Sequence, residues 1–166
     1  MKRRTKRRVL VWIVVAAALL TLVGRRTATA VRARRAASVA ARDPSLVRVT
    51  GYCNCEKCCG WRRSWFGFGE PVYAYGTMKG KPKRVGVTAS GTVAHKGTVA
   101  ADPKIWKFGT RLRIPGFGTG TVEDVGGAIK GRHIDLWFPS HAEAKAWGSK
   151  WLKVEEIRTV PRVDCR

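Results

Sequence analysis

Alternating apolar and polar positions predict that the folded part of the chain is mostly β-structure. VRVTGY, at residues 47–52, has the period-2 pattern of a half-buried strand. Many short strands with few helices are typical of a small barrel. Further candidate strands, most of them bounded by Gly or Pro, are residues 84–90, 97–101, 110–114, 120–125, 133–138 and 151–157.

One short helix is predicted at residues 141–147. Ser140 is a candidate N-cap, and Glu143 three positions later completes a capping box. Pro139 precedes this segment and Gly148 ends it. The predicted fold class is therefore mainly β with one short helix.

Residues 60–84 are predicted to form a long loop, because they are rich in aromatic, glycine and basic residues without a clear period. Its aromatic side chains are candidates for a platform that stacks on sugar rings. Packing over the barrel, beside the neighbouring cysteines, is the favoured interpretation. The side chains concerned are Trp61, Trp65, Phe66, Tyr73 and Tyr75.

The N-terminal segment is predicted to direct export. Residues 1–8 carry six cations and no acid, and residues 9–24 are apolar and uncharged. This is the pattern of a signal peptide or signal anchor, and the two arginines that follow it favour an uncleaved anchor. Leading cations stay in the cytoplasm, so the remainder is expected outside, in the periplasm or cell envelope. The expected divisions are a signal or anchor at 1–24, a basic tether at 25–46, one domain at 47–160 and a tail at 161–166.

The chain is strongly basic, with a formal charge of +22. Half of this net charge lies in residues 47–166, which contain 21 cationic and ten acidic side chains, so the folded part is itself basic. A basic domain attracts polyanions, although a merely solubilising surface is the alternative. For an exported protein the available polyanions are the cell wall and anionic lipid. We therefore expect an anionic cell-wall or membrane surface as partner, and no nucleic acid.

Four of the five cysteines are crowded into CNCEKCC, at Cys53, Cys55, Cys58 and Cys59. Clustered cysteines in exported proteins usually form disulfides, which is the favoured interpretation. Zinc ligation is one alternative, because Cys55 and Cys58 have a ligand-like spacing, although no second ligand pair lies at the usual distance. Free thiols are the other alternative. No metal site is assigned, and Cys165 is left without a role.

Two carboxylates enclose a glycine-rich turn in EDVGGAIKGRHID, residues 123–135. Asp124 ends one predicted strand and Asp135 begins the next, so adjacent strands would bring both to one end of the barrel. Asp102 is a third acid at a strand edge. Nearby carboxylates repel, so at least one is expected to have a raised pKa and to serve as a general acid. Local turn formation by each aspartate is the alternative.

A resemblance to a known family runs from about Val47 to Ile157 and is closest in residues 97–148. The residues that carry it are GTVAADPKIWKFGTRLRIPGFGTGTVEDVGGAIKGRHIDLWFPSHAEAKAWG, which closely resemble the 3D domain, named for three aspartates. TASG at residues 88–91 fits the same family's upstream motif. The resemblance implies a double-psi β-barrel. It also implies lytic transglycosylase chemistry on peptidoglycan, as in the related MltA-type enzymes and the stationary-phase survival proteins.

The same resemblance implies roles for the three aspartates. Asp124 would protonate the glycosidic oxygen between N-acetylmuramic acid and N-acetylglucosamine. It would then take the proton of the sugar's C6 hydroxyl, leaving a 1,6-anhydro end. Asp102 and Asp135 would tune its proton affinity, and no cofactor is needed. The implied substrate contacts are Thr88, Lys130, Gly126 and Gly127.

A non-catalytic module is the alternative from another functional class. Double-psi barrels also occur in expansin-like proteins that bind polysaccharide without cleaving it. The presence of all three aspartates favours the enzyme. The chain has no room for the second domain of MltA-type enzymes, so an open groove is expected.

Overall fold

The computed structural model describes residues 31–157 except 33, 37, 41 and 66. The chain divides into two compact units between Asp43 and Pro44. Described residues of the first unit, between 31 and 42, are helical. Within the described part of the chain, no helix is long and apolar enough to cross a bilayer. The predicted signal or anchor at 1–24, the tail at 161–166 and Cys165 lie outside the described residues.

The second unit consists of short strands with two short helices. The strands are β1 (Val47–Tyr52), β2 (Trp61–Trp65), β3 (Phe68–Tyr73), β4 (Thr98–Ala101), β5 (Arg111–Ile114), β6 (Gly118–Asp124), β7 (His133–Trp137), β8 (Lys150–Leu152) and β9 (Glu155–Glu156). The helices are α1 (Glu56–Cys59) and α2 (His141–Trp147). The mainly β class is confirmed.

Seven strands form one mixed sheet in the order β8-β1-β7-β4-β6-β5-β9. β1 is parallel to β7, β4 is parallel to β6, and β4 is antiparallel to β7. The predicted barrel is not closed, because the edge strands β8 and β9 do not pair with each other in the described sheet. These edge strands have only three and two residues.

The hydrophobic core covers one face of this sheet. Along β1, Val47 and Val49 are buried while Arg48 between them is exposed, as the period-2 pattern predicts. Helix α2 packs against β1 close to Gly51, where a Cβ atom would lie 3.0 Å from the Ala144 carbonyl oxygen. The buried core residues are Val47, Val49, Val99, Ala101, Leu112, Ile114, Val122, Ile134 and Leu136.

The predicted start of α2 is confirmed. The Ser140 hydroxyl oxygen accepts a hydrogen bond from the Glu143 amide at 3.2 Å and lies 2.8 Å from the Glu143 carboxylate, to which it donates. The Ser140 hydroxyl thereby satisfies an amide that the first helical turn leaves unpaired. The Glu143 carboxylate accepts from this hydroxyl rather than from the Ser140 amide, so it is the Ser140 N-cap that fixes where α2 begins.

Two predictions about local structure are wrong. Residues 60–84 contain a hairpin of β2 and β3 rather than a loop. Trp65 and Tyr75 are 70% and 67% exposed rather than packed over the sheet, whereas Trp61 and Tyr73 are half-buried. Residues 84–90 form no strand beyond an isolated bridge between Val87 and Val93. The chain turns there because Gly86 has a φ of 79°.

The close packing of β6 on β4 gives a direct test of the core. A Cβ atom at Gly120 would lie 2.5 Å from Val99 Cγ2 and 3.0 Å from the Gly97 carbonyl oxygen. Gly120→Ala is therefore expected to lower the free energy of unfolding by about 1–3 kcal/mol, measured by urea denaturation. Gly127→Ala, which meets nothing within 4 Å, should change it by less than about 0.5 kcal/mol. Equal effects of the two variants would contradict this packing.

Candidate functional site

A row of directly paired residues crosses four strands on the polar face of the sheet. Thr50 of β1 pairs with Asp135 of β7, and Asp135 pairs with Ala100 of β4. Ala100 pairs in turn with Asp124 of β6. Directly paired residues point to the same face, so the two carboxyl groups flank a single methyl group, with Cα atoms about 10 Å apart. The strands β6 and β7 are not adjacent, because β4 lies between them. The condition under which the sequence would bring the two carboxyl groups together is therefore not met, and β4 bridges them instead.

A β-bulge in β6 turns Asp124 towards this face. Val99 pairs with Val122, but Ala100 pairs with Asp124, which leaves Glu123 as an extra residue. Val122 is buried in the core, so regular alternation would send Asp124 towards the core as well. The extra residue shifts the alternation by one, and this is how bulges re-aim side chains near functional sites.

Asp124 is held by three hydrogen-bond donors. The Tyr52 hydroxyl donates to Oδ2 at 2.9 Å. The amides of Ala89 and Val125 donate to Oδ1 at 3.0 and 2.9 Å. Burial raises the pKa of Tyr52, and the negative charge of Asp124 raises it further. The Tyr52 hydroxyl therefore keeps the proton that it donates in this hydrogen bond. The carboxylate therefore has a fixed orientation.

Asp135 lies in a different environment. Burial raises the pKa of its carboxyl group to about 6, the Thr50 hydrogen bond at 2.7 Å opposes this rise, and the charge of Asp124 adds to it. Burial and then Arg48 lower the pKa of His133, whose Nε2 lies 2.9 Å from Thr50 Oγ1. The Asp135 carboxyl group therefore keeps its proton up to about pH 6 and ionises above it.

Both carboxyl groups line an open cleft of about 620 Å³. Its floor includes Ala100, and one wall is the glycine turn, residues 125–129. A Cβ atom at Gly126 would lie 2.5 Å from Ile129 Cγ1, whereas Gly127 has open space around it. Other parts of the wall come from the loop at 86–89 and from the segment that follows β3.

The remaining residues that the sequence singled out have different surroundings. Thr88 lines the cleft, but its hydroxyl bonds within its own turn, 2.8 Å from Thr92 Oγ1, and this turn presents the Ala89 amide. Asp102 and Lys130 lie outside the cleft lining. The amides of Gly131 and Lys104 donate to the Asp102 carboxylate at 2.9 and 3.0 Å and lower its pKa.

The favoured disulfides are not formed. Cys53, Cys55, Cys58 and Cys59 are all free, and the Sγ atoms of Cys53 and Cys58 are 3.8 Å apart, well beyond the ~2.05 Å of a disulfide. Three of these thiols instead face His141, and the fourth donates to the Cys53 carbonyl oxygen at 3.2 Å.

Asp124, Asp135 and Ala100 lie within a segment that is similar to other proteins. Residues 97–157 match the family model of the 3D domain. This segment is a 3D domain. Its three aspartates are Asp102, Asp124 and Asp135, of which the last two flank Ala100 and the first stabilises the loop beside β7.

Two curated relatives share part of this chain. The cell wall-binding protein YocH of Bacillus subtilis is 39% identical over 76 residues, which are 43% of this chain and 26% of that protein. The putative cell wall shaping protein YabE of the same organism is 37% identical over 57 residues, 34% of this chain and 14% of that protein. The shared segment is thus about a quarter of the length of YocH and about a seventh of the length of YabE.

Among solved structures, the chain resembles MltA from Escherichia coli, described as a lytic transglycosylase. One structure is 28% identical over 49% of this chain and 30% of MltA, with a TM-score of 0.40. The complex with chitohexaose is 26% identical over 45% of this chain and 28% of MltA, also with a TM-score of 0.40. This is a partial structural resemblance.

Sequence reasoning missed two residues of β1 that contact the carboxyl groups of the 3D domain. Thr50 and Tyr52 bond to Asp135 and Asp124 respectively. The period-2 pattern of VRVTGY already places both on the polar face, opposite Val49. What the pattern lacks is the partner strand, because β1 and β7 are about eighty residues apart and pair in parallel.

The raised pKa of Asp135 predicts a pH-dependent stability. Ionising a group whose folded pKa lies above its unfolded value destabilises the folded state, so the wild type loses stability from about pH 4 through pH 6. Asp135→Asn removes this loss. Its free energy of unfolding relative to wild type should rise by about 2.4 kcal/mol between pH 4 and pH 7.

Asp102→Asn is the matched control for this measurement, because the pKa of Asp102 is lowered. Its loss of stability should be largest near neutral pH and shrink as the pH falls. Parallel pH profiles for the two variants and the wild type, from urea denaturation at each pH, would contradict the assignment of the raised pKa to Asp135.

Proposed function

We propose that this chain is an exported cell-envelope protein whose 3D domain cleaves peptidoglycan as a lytic transglycosylase. The bond cleaved joins N-acetylmuramic acid to N-acetylglucosamine and leaves a 1,6-anhydro end. The observation that carries the proposal is the pair of carboxyl groups in one open cleft, of which Asp135 has a pKa raised to about 6. Two relatives named for binding or shaping the cell wall support the substrate class.

The environments of the two carboxyl groups favour Asp135, rather than Asp124, as the group that transfers the proton. A general acid works best when its pKa lies near the operating pH, and Asp135 has a pKa of about 6. Asp124 accepts three hydrogen bonds and is oriented by backbone amides on a rigid bulge. The family resemblance implied the opposite assignment, with Asp124 as the proton donor and Asp135 as the residue that tunes its proton affinity.

The proposed reaction needs one proton, which is returned at the end. Asp135 donates it to the glycosidic oxygen, whose bond to C1 of N-acetylmuramic acid breaks. Positive charge develops at that C1, and the Asp124 carboxylate stabilises it across the cleft. The sugar's own C6 hydroxyl oxygen then bonds to C1, and its proton passes to Asp135. No water is consumed, and the enzyme regains its starting state.

The cleft offers further groups suited to a glycan with acidic peptide stems. Arg84 is exposed on the cleft wall and is available to pair with a stem carboxylate. Lys83 is less available, since its Nζ donates to the Cys59 carbonyl oxygen at 2.8 Å. Gly127 leaves its side of the turn open, so a sugar ring meets the backbone there. The remaining basic charge suits an anionic wall or membrane surface.

A non-catalytic glycan-binding module is the second candidate. The name of YocH, a cell wall-binding protein, favours it. The cleft is also open, and an open groove holds a glycan without excluding water. The two candidates differ in their products, because only the enzyme generates anhydromuropeptides.

The product assay on the full-length chain separates these candidates. Wild-type protein incubated with purified peptidoglycan should release 1,6-anhydromuropeptides, detected by mass spectrometry. Asp135→Asn should lower the rate by at least ~100-fold, because loss of general acid–base catalysis costs this much. Glu155→Gln is the matched control, since this exposed carboxyl group lies on the edge strand β9, and it should retain the wild-type rate.

Two outcomes would overturn the proposal. Peptidoglycan binding by the wild type without any anhydro product would favour the binding module. A wild-type rate in Asp135→Asn, with Asp124→Asn inactive but folded, would restore the role of proton donor to Asp124.

A further inference from the structure

We propose that Cys53, Cys55, Cys58 and His141 form a four-coordinate zinc site. Each residue offers one ligand atom, and the four atoms lie within 4.8 Å of one another. The site shares no residue with the carboxyl pair, although Cys58 also lines the cleft, and it stands whether or not the chain is an enzyme. It replaces the expectation of disulfides that the clustered cysteines raised.

Three of the six distances between the ligand atoms match those around a tetrahedral zinc ion, and all six are within 4.8 Å. With Zn–S bonds of about 2.3 Å and Zn–N bonds of about 2.05 Å, tetrahedral angles place two sulfurs about 3.8 Å apart and a sulfur and a nitrogen about 3.5 Å apart. The Sγ atoms of Cys53 and Cys58 are 3.8 Å apart. His141 Nδ1 lies 3.5 Å from Cys55 Sγ and 3.4 Å from Cys58 Sγ.

The backbone brings three of the ligands together within six residues. The single turn of α1 is closed by the Cys59 amide, which donates to the Cys55 carbonyl oxygen at 2.9 Å. This turn brings Cys58 back over Cys55, at the spacing common to zinc ligand pairs. Gly60 ends the turn in the left-handed conformation, with a φ of 57°, and leads the chain away into β2.

The fourth ligand comes from a distant part of the sequence. His141 is the first residue of α2, whose start is fixed by the Ser140 N-cap. The ligand set therefore joins the corner after β1 to the beginning of α2, more than eighty residues later. This is why the sequence pattern alone showed only half of a zinc motif.

The donor set selects the metal and its role. Three thiolates and one imidazole are soft ligands that suit zinc, whereas calcium and magnesium prefer oxygen. Four protein ligands leave no open position for a substrate, so the ion is structural. Tyr52, which donates to Asp124, is the residue just before Cys53, so the ion would stabilise the strand end that orients this carboxylate.

Cys59 provides the matched control inside the same motif. Its thiol is outside the four-ligand cluster and bonds instead to the Cys53 carbonyl oxygen at 3.2 Å. Cys59→Ser keeps a donor at that position. It changes the number of cysteines in the motif without changing the ligand set.

The first test measures metal directly in the full-length chain, purified in mild detergent without chelator. Mass spectrometry of the metal content should give about one zinc per chain. Cys58→Ser and His141→Ala should each lose most of it, whereas Cys59→Ser should keep it. Cobalt(II) in place of zinc should give the visible absorption of a tetrahedral thiolate complex in the wild type and in Cys59→Ser.

A second test uses the wild type alone, so that it does not depend on folding of the variants. Zinc should protect Cys53, Cys55 and Cys58 from alkylation, and a chelator should abolish this protection while leaving the labelling of Cys59 unchanged. Full alkylation with zinc present would contradict the site. A disulfide among the three cysteines, in protein isolated from its own compartment, would do the same.

Discussion

Ala100 lies in the strand between those that carry Asp124 and Asp135, and its single methyl group leaves the space that the two carboxyl groups share. This strand order depends on β4 pairing with β6 in parallel and with β7 in the opposite direction. The bulge at Glu123 then turns Asp124 out of the core register. Without this order and this bulge, the same residues would be present but would not face one cleft.

The shared cleft is useful because its two carboxyl groups differ. Asp135 is buried beside Thr50, which raises the pKa of its carboxyl group, while Asp124 is bound by Tyr52 and two backbone amides. Two like groups in unlike surroundings can hold one proton and one negative charge at the same pH. Tyr52, which donates to Asp124, is directly followed by Cys53, a ligand of the proposed zinc site. Zinc binding at that site would therefore help to hold the residue that orients the Asp124 carboxylate.

Much of this architecture was predictable from local patterns. The alternation in residues 47–52 and 133–138 gave strands close to the observed bounds, and the Ser140 N-cap gave the start of α2. Long-range features were not predictable. The strand order places β4 between the strands that carry Asp124 and Asp135. His141 lies beside cysteines that are more than eighty residues earlier in the sequence. Asp102 shows the limit of a motif, since its carboxylate binds backbone amides outside the cleft.

The most direct test of the account is the titration of Asp135 by carbon-13 NMR of its side-chain carboxyl group. In the wild type we expect a pKa near 6, as burial and the charge of Asp124 require. In Asp124→Asn the pKa should fall, because one source of repulsion is gone, but remain above the ordinary 3.8. A wild-type pKa at or below the ordinary value would contradict the claim that Asp135 holds the transferable proton.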